Sequence, residues 1–333
     1  MYPRISDLFQ YLLGVDVALP FYSFGLMVAL AILAAAWMTQ RELDRMYGLG
    51  LVGSVQVRGK DAKGRPRTTA QSPSALVWTM ALLAAGFGIA GAKLFHVVDY
   101  WDEFTQDPVG MVVSTSGLTF YGGLVVATVA VAAYAYRKGL RVPRLADAAA
   151  PGMLLAHGIG RVGCYLSGDG DWGVCSSLAD KPGWIPAFLW SETFPRNIVG
   201  PGRTTIDPVV FNAQYRGAEC ALAAPDGVYP TMLYELAMAA ALAGALWLLR
   251  KHPFKAGWLF SLYAVFAGAE RFLIEEIRVN PEAAFGLPQS QIISIGFVVA
   301  GLVGLAITTR RRPPLGAPVS RPVPEAVSTG SSL

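Results

Sequence analysis

The chain has 333 residues, of which 53% are hydrophobic and only 15% are charged, and its formal net charge is +4 at pH 7. Its 36 glycines also exceed the share that soluble domains usually contain. This composition excludes an ordinary soluble domain and indicates a membrane protein.

Seven apolar runs follow one another along the chain, and each is close to the roughly 20 residues that span about 30 Å of hydrocarbon. They predict transmembrane helices at approximately Pro20–Met38, Ser74–Val98, Leu118–Tyr136, Ala146–Leu166, Met232–Leu249, Gly257–Ile274 and Ile292–Thr309. The first run has no basic segment before it and no convincing cleavage site after it, so we interpret it as a helix and not as a signal peptide. We expect an all-α polytopic membrane protein, with one seven-helix domain at residues 1–309.

The basic residues predict the orientation, because cytoplasmic loops are enriched in lysine and arginine. The loops after helices one, three and five are basic, whereas the connection between helices two and three carries four acidic residues and no basic residue. We expect the N-terminus outside and the C-terminus in the cytoplasm. These cytoplasmic anchors account for the positive net charge, so nucleic acid is not an expected partner. Residues 310–333, rich in Pro, Ser and Gly, are expected to form a disordered cytoplasmic tail.

The connection between helices four and five, residues 167–229, is too long for a simple connector. It is predicted to be a functional or partly folded loop on the outer, oxidising side. Cys175 and Cys220 lie in this loop, where a disulfide and two unpaired thiols are both open alternatives. Its segment KPGWIPAFLWSETFP interleaves aromatic residues with prolines, which is typical of a segment in the headgroup layer. An inert interfacial anchor and an entry point for lipid both fit this composition.

Polar and ionisable residues gather at the outer ends of the predicted helices. Helical spacing places Arg271 and Glu275 on one face of helix six, and His157 and Arg161 on one face of helix four. The others at this level are Lys93, His96, Tyr121, Gly122, Gly123, Cys164, Asp169, Tyr234, Glu235, Glu270, Arg278, Gln291 and Ser294. A charge at the centre of a membrane helix costs at least about 2.5 to 3.5 kcal/mol, so we expect these groups to share one polar chamber. Snorkelling of Arg161 and Arg271 to the headgroups is the alternative.

Two further residue types near the chamber allow more than one interpretation. The glycines beside the polar positions, Gly122 and Gly123 among them, either let a lipid headgroup approach closely or pack helices together. His96 and His157 have no companion His or Cys at ligand spacing on their own helices. A metal site is therefore not expected.

Six motifs follow one another along the chain: GAKLFHV, GLTFYGGL, GRVGCYLSGDGDWG, YPTMLYE, ERFLIEEIR and SQIIS. As an ordered set they resemble the prolipoprotein diacylglyceryl transferases of the bacterial inner membrane, and the third motif is the most specific. The resemblance implies an enzyme without cofactors whose active site faces the periplasm. Its substrates would be phosphatidylglycerol and the lipobox cysteine of prolipoprotein signal peptides. The thiol would receive the diacylglyceryl group as a thioether, and glycerol phosphate would be released.

The resemblance also assigns residues. The family's two important arginines correspond to Arg161 and Arg271, its glutamate in helix six to Glu275, and a further arginine to Arg278. Guanidinium groups hold phosphate through paired hydrogen bonds, so Arg161 and Arg271 are expected to stabilise the charge on the leaving phosphate. The other residues expected to bind substrate are Arg278, Cys164, Tyr234, Glu235, Gly122, Gly123 and Lys93.

The chain departs from the best-known family pattern at four positions. Tyr121 stands in place of a histidine, Cys164 of an asparagine, Asp169 of a glutamate and Phe24 of a tyrosine. The incoming thiol must lose its proton to become a nucleophile, and a tyrosine of ordinary pKa is a poor base at neutral pH. The candidates for the proton acceptor are Tyr121, Asp169, Asp171, Glu275 and His157.

Two other functions are compatible with the sequence. A lipid flippase or transporter also carries charges within its membrane helices. Transporters, however, often bind substrate at the bilayer midplane between internal repeats, and here no repeat is found and the charges lie to one side. A family member that binds lipid or lipoprotein without turnover is kept open by the changes at Tyr121 and Cys164.

Overall fold

The computed structural model describes residues 2–15, 21–60, 66–114, 119–200 and 204–309. Pro20 and Leu118, the predicted starts of the first and third membrane helices, lie outside the described residues, as does the predicted tail at residues 310–333. Within the described part the chain is mostly helical. The helices in chain order are α1 (Ile5–Leu13), α2 (Ser23–Gly48), α3 (Val77–Asp99), α4 (Trp101–Gln106), α5 (Pro108–Val113), α6 (Phe120–Arg137), α7 (Val142–Ser167), α8 (Pro208–Arg216), α9 (Thr231–Leu249), α10 (Trp258–Glu275) and α11 (Gln289–Thr308).

Seven helices of the described part have 18 or more residues, and each coincides with one of the seven apolar runs. Four of these are both long and apolar enough to cross a membrane: α2, α3 with the turn before it, α9 and α11. Among the other three, α7 and α10 contain buried charged residues, such as Asp147 and Glu270. The chain is therefore a helical membrane protein, and the count of seven spans stays a prediction.

The all-α prediction is incomplete, because the described residues also form three short, two-stranded antiparallel sheets. These pair β1 (Val55–Lys60) with β2 (Pro66–Gln71), β3 (Cys175–Ser176) with β4 (Gly227–Val228), and β5 (Glu282–Ala284) with β6 (Leu287–Pro288). The longest hairpin follows α2, where β-branched residues alternate with polar ones along β1, a pattern that favours a half-buried strand. Val55 is buried, with Val57 beside it, in a hydrophobic cluster with the ends of α2, α6 and α7.

α7 lies at the centre of the bundle and packs against α2, α9 and α10. Glycines allow the close approach to α2. A side chain at Gly152 would lie 3.0 Å from the carbonyl oxygen of Ala35, and one at Gly163 would lie 3.1 Å from the ring of Phe24. The order of these contacts along the two helices shows that α7 runs antiparallel to α2. Phe24, one of the four departures from the family pattern, thus packs against the helix that carries Arg161.

α2 continues ten residues beyond its predicted end at Met38, to Gly48. The prediction stopped where charged residues begin, because an exposed charge usually ends a membrane run. Glu42, however, is buried and forms an ion pair with Arg45 one turn later. Leu43 beside it is fully buried in the cluster that holds Val55. The ion pair and the buried leucine keep this extension helical.

The loop between α7 and α9 folds around a small aromatic core. Trp172 and Phe194 are fully buried there. The indole Nε1 of Trp172 donates to Oδ1 of Asn212 at 3.0 Å, and the amide of Asn212 donates to the carbonyl of Gly173, also at 3.0 Å. Phe194 belongs to the segment predicted for the headgroup layer and is an exception to that prediction, whereas Trp184 of the same segment is 84% exposed.

Cys175 and Cys220 form a disulfide, which decides between the two alternatives that the sequence left open. Cys164 is free and buried. The disulfide joins β3 to the segment that follows α8. Closing a loop of 45 residues restricts the unfolded chain, and stabilises the fold by about 4 kcal/mol in the loop-entropy treatment.

Replacing both bridged cysteines by serine should lower the free energy of unfolding by about 2 to 4 kcal/mol. The measurement is chemical denaturation of the purified protein in mixed micelles. A reducing agent should shift the denaturation midpoint of the unmodified protein and leave that of the double variant where it is. A double variant as stable as the oxidised wild type would contradict the expectation.

Candidate active site

The motif SGDGDWG forms the turn that follows α7. Gly168 and Gly170 adopt positive φ angles of 60° and 91°, a conformation that glycine accepts without strain. The carboxylate of Asp169 accepts a hydrogen bond from the backbone N–H of Asp171 at 3.2 Å. The turn reverses the chain, so the Asp171 carboxylate returns to α7 and pairs with the guanidinium of Arg161.

Gly173 links this turn to the segment after α10. It pairs with Arg278 in an isolated β-bridge, and a Cβ at this position would lie only 2.5 Å from the carbonyl oxygen of Ile277. Only glycine permits so close an approach. The contact brings the guanidinium of Arg278 to Oδ1 of Asp171 at 2.5 Å. Asp171 therefore bridges Arg161 and Arg278.

Glu235 on α9 is the centre of the charged network. It is fully buried, and its carboxylate oxygens lie 2.5 Å from Nε of Arg161, 3.0 Å from Nη1 of Arg278 and 3.9 Å from Nη1 of Arg271. One carboxylate thus gathers guanidinium groups from α7, from α10 and from the segment after α10. We refer to Arg161, Arg271 and Arg278 around Glu235 as the arginine cluster.

Arg271 keeps a hydrogen-bond donor for a ligand. Its Nη2 forms an ion pair with Glu275 one helical turn later, at 2.8 Å, and Glu275 accepts a hydrogen bond from Asn280 at 2.5 Å. The Nη1 of Arg271 is buried and has no hydrogen-bond acceptor among the described residues. A buried donor without an acceptor costs about 1 to 3 kcal/mol, so an anion that supplies an oxygen there would be favoured.

A histidine lies on the other side of Glu235. Nε2 of His157, one turn before Arg161 on α7, is 3.5 Å from Glu235 and 3.6 Å from Glu270. The ligand atoms of these three residues lie within 4.8 Å of one another, a spacing that a metal ion can use. A second group with this property is Cys164, Asp169 and Asp171. Each group contains a carboxylate already paired with arginines, so both fit an ion-pair network better than a cation site.

The two aspartates of the turn have opposite electrostatic surroundings. Burial disfavours the charged form of Asp171, but Arg278 and Arg161 outweigh burial and lower its pKa to about 2. Burial, together with the negative charge of Asp171, raises the pKa of Asp169. Carboxyl groups whose surroundings drive their pKa values apart are typical of acid–base sites. Asp171 is therefore suited to hold arginines, and Asp169 is suited to exchange a proton.

Two more of the predicted site residues lie beside the arginine cluster. Sγ of the buried Cys164 is 3.7 Å from Nη1 of Arg161. Tyr121 at the start of α6 is within electrostatic range of Arg271 and Glu275. Residues of four helices, α6, α7, α9 and α10, and of the segments that follow α7 and α10 therefore meet in one chamber at this end of the bundle. This agrees with the expected shared chamber and not with independent snorkelling.

Gly122 and Gly123, which the sequence assigned either to lipid binding or to helix packing, lie at a contact between two helices. A side chain at Gly122 would lie 2.4 Å from Cβ of Phe95, and one at Gly123 would lie 2.7 Å from the carbonyl oxygen of Gly88. Both contacts join α6 to α3. Of the two interpretations of these glycines, helix packing is the one that the geometry supplies, and a contact with lipid stays a prediction.

Lys93 and Tyr234 form hydrogen bonds with residues outside the arginine cluster. Nζ of Lys93 donates to the backbone and side-chain oxygens of Ser114, each at 2.9 Å. The hydroxyl of Tyr234 donates to the carbonyl of Leu189 at 2.5 Å and so ties α9 to the long loop. Substrate binding by either residue stays a prediction.

Sequence reasoning missed two residues near the cluster. Arg216 ends α8, donates to the carbonyl of Val279 at 2.9 Å and lies close to the turn at Gly170. Burial lowers its pKa. Nothing in the irregular sequence of the long loop indicates this position. Asn280 could have been noticed, because it lies two residues after the motif ERFLIEEIR.

Comparison with known proteins identifies the family. The sequence model of the family described as prolipoprotein diacylglyceryl transferase matches residues 10–307. The match includes every residue of the arginine cluster. The chain belongs to this family.

Individual members of the prolipoprotein diacylglyceryl transferase family are similar over most of their length. A relative from Dehalococcoides mccartyi, named phosphatidylglycerol–prolipoprotein diacylglyceryl transferase, is 32% identical over 225 residues, which are 66% of this chain and 72% of the relative. Relatives of the same name from Bacillus cytotoxicus and Bacillus cereus are 25% identical over 291 residues, which are 86% of this chain and 88% of each relative. The chain is thus a membrane protein of a transferase family involved in lipoprotein biosynthesis.

Proposed function

We propose that this chain transfers the diacylglyceryl group of phosphatidylglycerol to the lipobox cysteine thiol of prolipoproteins and releases glycerol phosphate. The observation that carries the proposal is that Arg161 on α7 and Arg271 on α10 both face the carboxylate of Glu235. Two guanidinium groups in one chamber can grip one phosphate group. The names of the relatives support the same pair of substrates.

We place the seven long helices across the bacterial inner membrane, with the N-terminus outside and the C-terminus in the cytoplasm. The distribution of lysine and arginine along the chain supports this orientation. The arginine cluster then faces the periplasm, beside the long loop between α7 and α9. The Cys175–Cys220 disulfide in that loop suits an oxidising compartment. Phosphatidylglycerol and the signal peptide of the prolipoprotein both reach the chamber from the membrane.

The reaction explains why arginines are needed. The thiolate sulfur attacks the diacylglyceryl carbon, the bond from that carbon to the phosphate oxygen breaks, and the electron pair stays on glycerol phosphate. Arg161 and Arg271 stabilise this charge in a site that water reaches poorly, where oriented donors act most strongly. Glu235 holds the two guanidinium groups together, and Glu275 orients Arg271. Neither lysine nor glutamine offers the same planar set of donors.

We propose that the carboxylate of Asp169 accepts the proton of the lipobox thiol. Its carboxyl lies beside Cys164 in the chamber, and its raised pKa makes it a stronger base than an ordinary aspartate. Asp171, with a pKa of about 2, is a much weaker base and is held by two arginines. A carboxylate accepts a proton only when it is ionised. The value of kcat/KM should therefore rise with pH through the raised pKa of Asp169 and then level off.

Asp169→Asn should lower kcat/KM at neutral pH by about 100-fold, the usual contribution of a positioned general base. The acidic limb of the pH–rate profile should disappear in the same variant. Tyr121→Phe, measured in parallel, is the matched test of Tyr121 as the proton acceptor and should keep the limb. If Tyr121→Phe loses the limb while Asp169→Asn keeps it, the proton passes to Tyr121 and the assignment is wrong.

The function itself is tested with purified protein in vesicles that contain phosphatidylglycerol, to which a lipobox peptide is added. A thioether-linked peptide and an equal amount of glycerol phosphate are the expected products. A peptide with serine in place of the lipobox cysteine is the control and should give neither. Movement of lipid between leaflets without product would point to a flippase instead. Binding of lipid or peptide alone would point to a non-catalytic member of the family.

A further inference from the structure

A second group of arginines lies at the other end of the bundle. The antiparallel contacts of α2 with α7 place Met27 beside Gly163, next to the arginine cluster. Arg41 and Arg45 follow Met27 by 14 and 18 residues on the same helix, which corresponds to roughly 20 to 27 Å at the rise of an α-helix. This distance is close to the thickness of the hydrocarbon layer. The second group therefore lies at the opposite membrane surface from the proposed active site.

These arginines line a cleft between α2 and α9. The cleft has a volume of about 420 Å³ and is lined by Trp37, Arg41, Glu42, Arg45, Trp247 and Arg250. The carboxylate of the buried Glu42 accepts from Nε of Arg45 at 2.9 Å and lies 3.4 Å from Nε of Arg250. Nη2 of Arg45 also donates to the carbonyl of Arg250 at 3.2 Å, which joins the two helices. We refer to these six residues as the basic cleft.

The basic cleft has more positive than negative charge. It contains three guanidinium groups and one carboxylate, so two positive charges are not balanced within it. Arg41 is exposed and has no carboxylate partner among the described residues; its guanidinium lies 5.5 Å from the ring centre of Trp37. Asp44, the other acidic residue of this part of α2, accepts a hydrogen bond from Ser72 and does not line the cleft. The chemistry of the cleft therefore suits an anion.

Apolar surface continues from the cleft toward the middle of the bundle. Trp37 is 53% exposed, and Leu33 and Leu30 are exposed on the same face of α2, one and two turns earlier. On α9, Gly244 is exposed one turn before Trp247, and nothing lies within 4 Å of the place where its side chain would be. The cleft thus has arginines at its outer level, tryptophans next to them and an apolar surface beyond. This order matches the headgroup, the interfacial region and the acyl chains of a phospholipid.

We propose that the basic cleft is a binding site for one anionic phospholipid of the leaflet opposite the active site, held by its phosphate on Arg41 and Arg250 and by its acyl chains along α2 and α9. Basic pockets between transmembrane helices bind anionic headgroups in this way. A simple membrane anchor needs arginines that point to water. It does not need two helices to form a shared cleft around a buried carboxylate. The proposal does not depend on the proposed transferase activity.

The test compares lipid retention by native mass spectrometry of the full chain, purified from vesicles that contain phosphatidylglycerol and phosphatidylcholine. Arg41→Gln should lower the preference for phosphatidylglycerol about fivefold, and Arg41→Gln with Arg250→Gln should lower it about 25-fold, because each arginine near an anionic surface contributes a factor of about five. The preference should persist in a variant with Arg161→Gln and Arg271→Gln, which separates this site from the active site.

The matched control is Arg137→Gln, which removes an exposed arginine at the same end of the bundle but outside the cleft. It should leave the preference unchanged. A phosphatidylglycerol with a photoreactive acyl chain should also cross-link to peptides that contain Leu33 or Gly244. Arg41→Gln alone leaves the pairing of Glu42 with Arg45 and Arg250 in place, so its folding is not at risk. An unchanged lipid preference in Arg41→Gln, or an equal loss in Arg137→Gln, would overturn the proposal. Equally strong competition by free glycerol phosphate would reassign the cleft to a soluble anion.

Discussion

Arg161→Gln and Arg271→Gln should each lower kcat for diacylglyceryl transfer by about 100- to 1,000-fold, the usual cost of removing one donor that stabilises developing negative charge. Both guanidinium groups face the same chamber, and Nη1 of Arg271 is a buried donor that a phosphate oxygen can satisfy. Glutamine keeps part of the side-chain volume and removes the charge. The measurement is the rate of thioether formation at saturating phosphatidylglycerol.

Two controls make this result specific. Arg161→Lys keeps the positive charge but loses the planar fork of donors, so it should recover only a small part of the activity. Arg196→Gln removes an exposed arginine from the loop at the same end of the bundle and should leave kcat unchanged. Circular dichroism and gel filtration must show folded protein in each case. Turnover near the wild-type rate in both glutamine variants would defeat the proposed phosphate site.

The positions of the long helices could be predicted because length and hydropathy are properties of a continuous segment. The predicted helix ends are wrong where a charged residue is taken to end a membrane helix but is buried against a partner from elsewhere in the chain. α2 continues past Met38 because Glu42 is buried against Arg45 and Arg250, and Arg250 lies more than 200 residues away. The two-stranded sheets were missed for a similar reason, since short strands have weak patterns of their own.

The candidate site could be predicted in part. Helical spacing placed Arg161, Arg271 and Glu275 at one level. It could not tell which carboxylates pair with arginines and which accept a proton, because that depends on the cations that surround each one in the fold. The sequence assigns Glu235 to substrate binding, which stays a prediction, and did not indicate that three arginines surround it. Asp169 and Asp171 look equivalent in the sequence. The turn between them places Asp171 in contact with Arg161 and Arg278, whereas the pKa of Asp169 is raised.

Glu235→Gln should lower the free energy of unfolding by about 3 to 5 kcal/mol, the usual cost of removing one partner of a buried ion pair. Glu235 is fully buried, and the change leaves Arg161, Arg271 and Arg278 close together with one fewer negative charge among them. The measurement is the denaturation midpoint in mixed micelles. Transfer activity should fall as well, because the two phosphate-binding guanidinium groups would then repel each other.

The matched control is Glu270→Gln, which removes a buried carboxylate of the same size whose described ion-pair partner is His157 alone. A histidine can stay neutral, so this change should cost much less than Glu235→Gln. Adding Arg278→Gln to Glu235→Gln should recover part of the lost stability, because it removes one of the unmatched guanidinium groups, and the double-mutant cycle gives the coupling between them. If Glu235→Gln unfolds at the same denaturant concentration as the wild type, Glu235 does not hold the cluster together, and the convergence of Arg161 and Arg271 needs another cause.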